Sequence, residues 1–159
     1  QKKWTAKYAK RAEDLGLTTD EVIIIASIIQ KEAADSTQMA LISSVLHNRL
    51  NNASAYPMLS CDSTAFYITN FVKPSVGEGQ AEAYLTEYNT NISDGLPPGP
   101  ICNPGSEAIK AALYPKDTDY FYFQHDKSGK IYMAKSLQEH NANLIEVLRA
   151  NAKIDSDGT

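Results

Sequence analysis

The chain has 159 residues, of which 43% are hydrophobic and 21% charged, and it carries a formal net charge of −4 at pH 7. These values are typical of one globular domain with a sizeable core. The acidic balance argues against nucleic-acid binding, and the longest apolar run, 22–29, is too short to span a bilayer. Because the sequence begins at Gln1 rather than at Met, we expect it to be a fragment of a longer protein.

The first 17 residues predict a linker helix. Helical spacing relates four of their apolar positions, Trp4, Tyr8, Ala12 and Leu15. Gly16 then stands where the C-terminal cap of a helix belongs, because glycine adopts positive φ angles without strain.

Two capping patterns open the next helices. Thr18, with Glu21 three residues later, forms a capping box and predicts a helix that runs to about residue 34. Asp35 and Gln38 repeat the same spacing and predict a third helix that ends near Leu50.

The segment 51–103 is rich in Asn, Ser, Pro and Gly. We predict a long irregular stretch with short helical pieces near 64–70 and 80–86. Long irregular stretches in compact domains tend to carry function.

The C-terminal third predicts a helix, a hairpin and a second helix. These elements are a helix from Asn103 and Pro104 to about Tyr114, a hairpin of strands within 119–124 and 130–135, and a helix capped by Ser136 and Glu139 that ends near Ala150. The fold class is therefore α+β, mainly helical with a small antiparallel hairpin.

Glu32 is the candidate catalytic residue. Ile25, Ile28, Ile29 and Glu32 are spaced i, i+3, i+4 and i+7, so Glu32 extends the stripe that faces the core. Apolar surroundings raise the pKa of a carboxyl group, and a general acid needs a raised pKa near neutral pH. The alternative is that Glu32, in the last turn of a buried helix, simply reaches solvent.

Four further polar stretches are candidates for binding. They are the "DST" segment 62–64, the "YNTN" segment 88–91, the Pro/Gly frame 95–105, and the pair His140 and Asn141. Each has a structural alternative: an N-cap, a turn, a rigid surface loop and a packed or exposed histidine, respectively.

The two cysteines, Cys61 and Cys102, leave two interpretations open: free thiols, or a single disulfide in an exported domain. No CxxC or HExxH spacing occurs. The sequence therefore predicts neither a metal site nor a cofactor.

Seven short motifs occur in one order along the chain. They are "ASIIQKEA" (26–33), "NRL" (48–50), "DST" (62–64), "YNT" (88–90), "GLPPGPICNPG" (95–105), "DYFYF" (119–123) and "EHN" (139–141). This order resembles the endolytic murein transglycosylases, the MltG/YceG-like family, over about residues 18–148. The Pro/Gly segment together with the helix-borne Glu is the most specific part of the resemblance.

The resemblance implies a catalytic domain at 18–150 with a lysozyme-like active-site groove, and we expect 151–159 to form a disordered tail. It implies a lytic transglycosylase that cleaves the β-1,4 bond between N-acetylmuramic acid and N-acetylglucosamine within peptidoglycan strands. The reaction uses no water and leaves 1,6-anhydro ends. Glu32 matches the family's general acid, which then acts as base; many relatives carry a second Glu at the position of Gln30.

The alternative function is a non-catalytic wall module that grips peptidoglycan without cutting it. Such a module would usually have lost Glu32, which this chain keeps.

The resemblance also implies that polar positions of the matched motifs bind the glycan. These positions are Asn48, Asp62, Thr64, Tyr88, Asn89, Thr90, Asn103, His140 and Asn141. Asp62 is expected to position substrate. Relatives often carry a His where this chain has Ile131.

Both cysteines stand inside matched motifs, directly before Asp62 and Asn103. If both motifs border the groove of Glu32, the sulfurs of Cys61 and Cys102 come within bonding range. We therefore expect a disulfide that closes a loop of about 40 residues.

The family's enzymatic part works at the extracytoplasmic face of the bacterial cell membrane. The resemblance therefore implies peptidoglycan glycan strands and peptidoglycan synthases as partners. It also implies membrane anchoring of the full-length protein through a segment absent here.

Overall fold

The computed structural model describes residues 4–157, and its side chains are described except those of Glu78 and Asp157. The helices are α1 (Ala6–Asp14), α2 (Thr19–Glu32), α3 (Met39–Asn51), α4 (Asp62–Tyr67), α5 (Lys73–Val76), α6 (Glu78–Tyr88), α7 (Ser106–Leu113) and α8 (Leu137–Asp157). A π-helical turn, Ile68–Val72, joins α4 to α5. The strands are β1 (Tyr122–His125) and β2 (Ile131–Ala134), which pair antiparallel. The predicted α+β class is confirmed.

Helix α2 is the centre of the core. Ile25, Ile28 and Ile29 are fully buried, and α2 packs against both α3 and α7. The predicted capping box opens α2, since Thr18 Oγ1 accepts from the Glu21 N–H and the Glu21 carboxylate accepts from the Thr18 N–H. The capping box therefore fixes where α2 begins.

The predicted linker helix packs onto the same core. Ala12 of α1 is buried, and Arg11 Nε donates to the Leu113 carbonyl at the end of α7 over 3.0 Å. Gly16 has the expected positive φ of 70° just after α1. Residues 1–3 of the predicted 1–17 element lie outside the described residues.

Three predicted element boundaries were wrong. Asp35 caps a turn, accepting from the Thr37 N–H over 2.7 Å, and α3 begins at Met39 without a side-chain cap. Helix α7 has Gly105 rather than Asn103 as its N-cap. The tail predicted to be disordered at 151–159 continues α8 through Asp157, and its last two residues lie outside the described part.

The stretch predicted to be irregular is largely helical between Asp62 and Tyr88. Its helices are short, and one passes through a π turn, so no long apolar period marks them in the sequence. Among residues 4–157, no helix is both long and apolar enough to cross a membrane.

Candidate active site

Glu32 is the last residue of α2, and its carboxyl group is largely enclosed. Glu32 Oε1 accepts a hydrogen bond from the backbone N–H of Ser63, in the first turn of α4, over 3.2 Å. Burial raises the pKa of Glu32, because the charged form loses solvation, and the negative charge of Asp62 raises it further. The Ser63 hydrogen bond opposes this rise. On balance the pKa of Glu32 lies above its usual value, so this carboxyl keeps its proton to a higher pH than a solvent-exposed glutamate does.

The carboxyl group of Glu32 opens into a cleft of about 360 Å³. We call this the Glu32 cleft; its lining residues are Glu32, Ser60, Asp62, Phe123, Gln124, His125 and His140. Helix α2 and the start of α4 provide one wall, and β1 and α8 provide the other. The cleft lining combines polar side chains with the phenyl ring of Phe123.

A second cavity of about 210 Å³ lies beside this cleft and shares Ser60, Phe123 and His140 with it. Arg49 lines this second cavity. The guanidinium donates to the carbonyls of Phe121 over 2.7 Å and Met58 over 2.9 Å. Arg49 thus ties the hairpin wall to the segment that precedes α4.

Two side chains of α2, the buried Ser27 and the half-buried Gln30, hold the Pro/Gly frame 95–105 against this helix. Ser27 Oγ accepts from the Ile101 N–H over 3.0 Å, and Gln30 Oε1 accepts from the Gly105 N–H over 3.0 Å. Gln30 therefore anchors the frame. Gly105 itself has an extended backbone, with φ −72° and ψ 169°, so α7 begins after it rather than at Asn103.

Asp62 and His140 are the predicted binding residues that line the Glu32 cleft. Asp62 Oδ1 accepts from Asn91 Nδ2 over 2.9 Å, which sets the direction of its carboxylate. His140 stacks on the Tyr122 ring, with centroids 5.2 Å apart. Burial lowers the pKa of His140, and its Nδ1 is buried without a hydrogen-bond partner among the described residues.

Thr64 and Thr90 do not reach the cleft, although the sequence placed them among binding residues. Thr64 is fully buried and Thr90 is 1% exposed. Their hydroxyl oxygens lie 3.1 Å apart, and Thr90 Oγ1 also accepts from the Cys61 N–H over 3.0 Å. The pair holds the start of α4, which presents the Ser63 N–H to Glu32.

The other predicted binding residues also lie away from the cleft lining. Asn48 Nδ2 donates to the carbonyls of Thr118 and Tyr120 over 2.9 and 2.8 Å, so it supports the approach to β1. The others are Tyr88, packed on the Tyr67 ring; Asn89, which accepts from the Asn91 N–H; and the exposed Asn103 and Asn141.

The predicted disulfide is not formed, and Cys61 and Cys102 are free. Cys61 is buried, with Sγ 3.6 Å from the Leu59 carbonyl. Cys102 Sγ lies 3.4 Å from the Ser27 carbonyl. Each thiol is directed at the backbone of a different segment, so the two sulfurs do not meet. Burial raises the pKa of both thiols.

Sequence reasoning missed Ser60, just before α4, on one wall of the cleft and Gln124 and His125 on the hairpin wall. His125 was assigned to the turn but is the last residue of β1, opposite Ile131. Its contact with the cleft depends on how the hairpin packs against α3 and α8, which no local pattern encodes. Among residues 4–157, no group of three or more His, Cys, Asp and Glu is arranged to hold a metal ion.

A family model described as the YceG-like family matches residues 1–146. The chain belongs to the YceG-like family. A yceG-like protein of Listeria monocytogenes, known from a crystal structure, superposes with a TM-score of 0.71 at 37% identity, over 86% of this chain and 44% of that one. The resemblance inferred from the motifs is thereby confirmed.

Two similar proteins are named endolytic murein transglycosylase. The one from Bacillus subtilis strain 168 is 35% identical over 125 residues, 79% of this chain and 34% of that protein. The one from Streptococcus pneumoniae strain D39 is 29% identical over 153 residues, 93% of this chain and 27% of that protein. The chain thus spans roughly a third of the length of these YceG-like relatives.

Proposed function

We propose that this YceG-like domain is a lytic transglycosylase. It cleaves the β-1,4 bond between N-acetylmuramic acid and N-acetylglucosamine within peptidoglycan strands and leaves 1,6-anhydro ends. The observation that carries the proposal is the enclosed carboxyl of Glu32, whose pKa is raised by burial, at the side of a cleft of about 360 Å³. The names of the relatives support the same reaction class.

In this mechanism Glu32 starts protonated and donates its proton to the leaving glycosidic oxygen. The resulting carboxylate is the final acceptor of the proton that leaves the C6 hydroxyl of the same muramoyl ring, whose oxygen closes on C1. Intramolecular attack gains from the high effective concentration of a group held on the same ring. Hydrolysing glycosidases generally need two carboxylates, whereas here the sugar supplies its own nucleophile.

Asp62 and His140 are proposed to position the glycan, because both line the cleft beside Glu32. Three other predicted positions are proposed to act indirectly: Thr64 and Thr90 hold α4, and Asn48 supports the hairpin wall. The domain is proposed to act at the extracytoplasmic face of the cell membrane, where peptidoglycan is built, and alongside peptidoglycan synthases.

The test is mass spectrometry of the fragments released when the purified chain is incubated with peptidoglycan glycan strands. The proposal expects fragments whose muramoyl end is lighter by one water molecule than a reducing end. Reducing ends would identify a hydrolase instead. Glycan that is bound but never cut would identify the non-catalytic wall module.

A further inference from the structure

His125 lines the Glu32 cleft. Its hydrogen-bond partner fixes which ring nitrogen carries the hydrogen. Gln38 Nε2 donates to the Gly129 carbonyl over 2.8 Å, and Gln38 Oε1 accepts from the Ala34 N–H over 3.3 Å. These two backbone partners fix the orientation of the amide. His125 Nε2 lies 2.8 Å from the same Oε1. Because an amide oxygen only accepts, Nε2 must carry the hydrogen.

This tautomer leaves His125 Nδ1 with a free lone pair when the ring is neutral. Burial lowers the pKa of His125, while the charges of Asp126 and Asp35 oppose that change. The Asp126 carboxylate is occupied by the Ser128 hydroxyl and the Tyr132 hydroxyl. The neutral ring is therefore favoured near neutral pH.

The charged and titratable groups around the imidazole lie on five different segments. They are Glu32 of α2, Asp35 of the following turn, Asp62 of α4, Asp126 after β1 and His140 of α8. The pKa of Glu32 is raised and that of His125 is lowered. One cleft thus holds a carboxyl whose pKa is raised and an imidazole whose pKa is lowered, and shifts of this kind are typical of a general acid and a general base that share a site.

We propose that His125 is a second catalytic residue, whose Nδ1 takes the proton of the attacking C6 hydroxyl while Glu32 protonates the leaving oxygen. This inference rests on the proposed function and deepens it. It divides between two side chains the proton transfers that would otherwise fall on Glu32 alone.

The step balances in atoms and charge. The bond from C1 to the glycosidic oxygen breaks, and that oxygen takes the proton of Glu32. The bond from O6 to C1 forms, and the O6 proton passes to His125 Nδ1. The imidazolium and the Glu32 carboxylate then return to their starting states when the proton moves from one to the other through solvent in the cleft.

The tautomer is tested by nitrogen NMR of the chain with labelled histidine. The chain has three histidines, and a His125→Gln spectrum assigns the resonance. We expect a neutral His125 with hydrogen on Nε2 and a pKa below the usual histidine value. Hydrogen on Nδ1 in the neutral form would overturn the proposal, because the lone pair would then point at Gln38.

The catalytic role is tested by the pH dependence of kcat for release of 1,6-anhydro ends. The kcat of wild type should fall on acidification with the slope expected for a single protonation, because the imidazolium cannot accept the C6 proton. We call this fall the acidic limb. His125→Gln should lower kcat about 100-fold at neutral pH, the lower end of the usual contribution of a general base. It should also abolish the acidic limb.

Two further variants separate this role from a structural one. Gln38→Glu places a carboxylate against Nε2–H, which favours the imidazolium, so the acidic limb should move to higher pH. His140→Gln removes the other imidazole in the cleft and should leave the limb where it is, whatever its effect on KM.

The outcomes separate the inference from the function on which it rests. If wild type makes anhydro ends and His125→Gln keeps the wild-type kcat and limb, the inference fails while the proposed function stands. Loss of the acidic limb in His140→Gln would also overturn the inference about His125. If wild type makes no anhydro ends, both fail together.

Discussion

The two walls of the Glu32 cleft are held by different forces. The α2 wall rests on hydrocarbon, since Ile25 and Ile28 behind Glu32 are fully buried. The hairpin wall rests on polar side chains: Gln38, Asn48 and Arg49 all donate to backbone carbonyls within residues 118–129.

The difference matches what the proposed mechanism requires of each wall. A general acid needs poor solvation of its charged form, which apolar packing provides without any specific direction. A proton acceptor and a sugar-binding surface need fixed directions, which hydrogen bonds provide. The following predictions test this contrast, from the largest expected effect to the smallest.

Truncating the α2 wall should have the largest effect. Ile28→Ala leaves a cavity beneath Glu32 and should lower the free energy of unfolding by about 2–5 kcal/mol. Chemical denaturation measures this change. Lys31→Ala, on the exposed side of the same helix, is the control and should change stability little. Equal effects from the two variants would show that α2 is not held by its apolar face.

Removing the central donor of the hairpin wall should come next. Arg49→Met keeps the bulk but leaves the carbonyls of Phe121 and Met58 without their donor, so we expect a loss of roughly 3 kcal/mol. Arg149→Met is the control, because Arg149 forms an exposed pair with Glu146, and exposed pairs contribute little. If Arg49→Met and Arg149→Met unfolded at the same denaturant concentration, the result would show that the hairpin wall does not depend on buried hydrogen bonds.

A matched pair of serines tests the anchoring of the Pro/Gly frame. Ser27 Oγ accepts from the Ile101 N–H, whereas the buried Ser43 Oγ has no partner among the described residues. Ser27→Ala should cost about 1–2 kcal/mol by leaving a buried N–H unpaired. Ser43→Ala should be neutral or stabilising. Thermal unfolding of the two variants measures the difference, and a reversed order would contradict the anchoring role.

The smallest predicted effect concerns the pH dependence of stability. The pKa of Glu32 is raised in the folded state, so the folded protein binds this proton more tightly than the unfolded chain does. The corresponding stability is fully present below the unfolded pKa and is lost as pH rises through the folded pKa. The Glu32→Gln variant should not lose stability as pH rises over this range. Asp62→Asn removes a nearby negative charge and should lower the pKa of Glu32 in an NMR titration; a rise would contradict the assigned cause.

The sequence predicted that Glu32 ends the core-facing stripe of α2, because that position depends on helical periodicity, which is local. It did not locate His125 or the Gln30–Gly105 hydrogen bond, because both depend on segments that are distant in sequence and meet only through packing. Thr64 and Thr90 show that a motif position can also mislead. Their positions suggested contacts with a ligand, but the two hydroxyls form a hydrogen bond with each other. The disulfide prediction was wrong for the same reason, since spacing along the chain does not fix the direction of two thiols.

The central claim is that Glu32 is the acid of a lytic transglycosylase, and the most direct test is the rate of anhydro-end release by Glu32→Gln. Glu87→Gln, an exposed residue of α6, is the matched control. We expect Glu32→Gln to fall to about one hundredth of the wild-type rate or below, with glycan binding and cooperative unfolding retained. A Glu32→Gln variant that kept roughly a tenth or more of the wild-type rate would contradict the account.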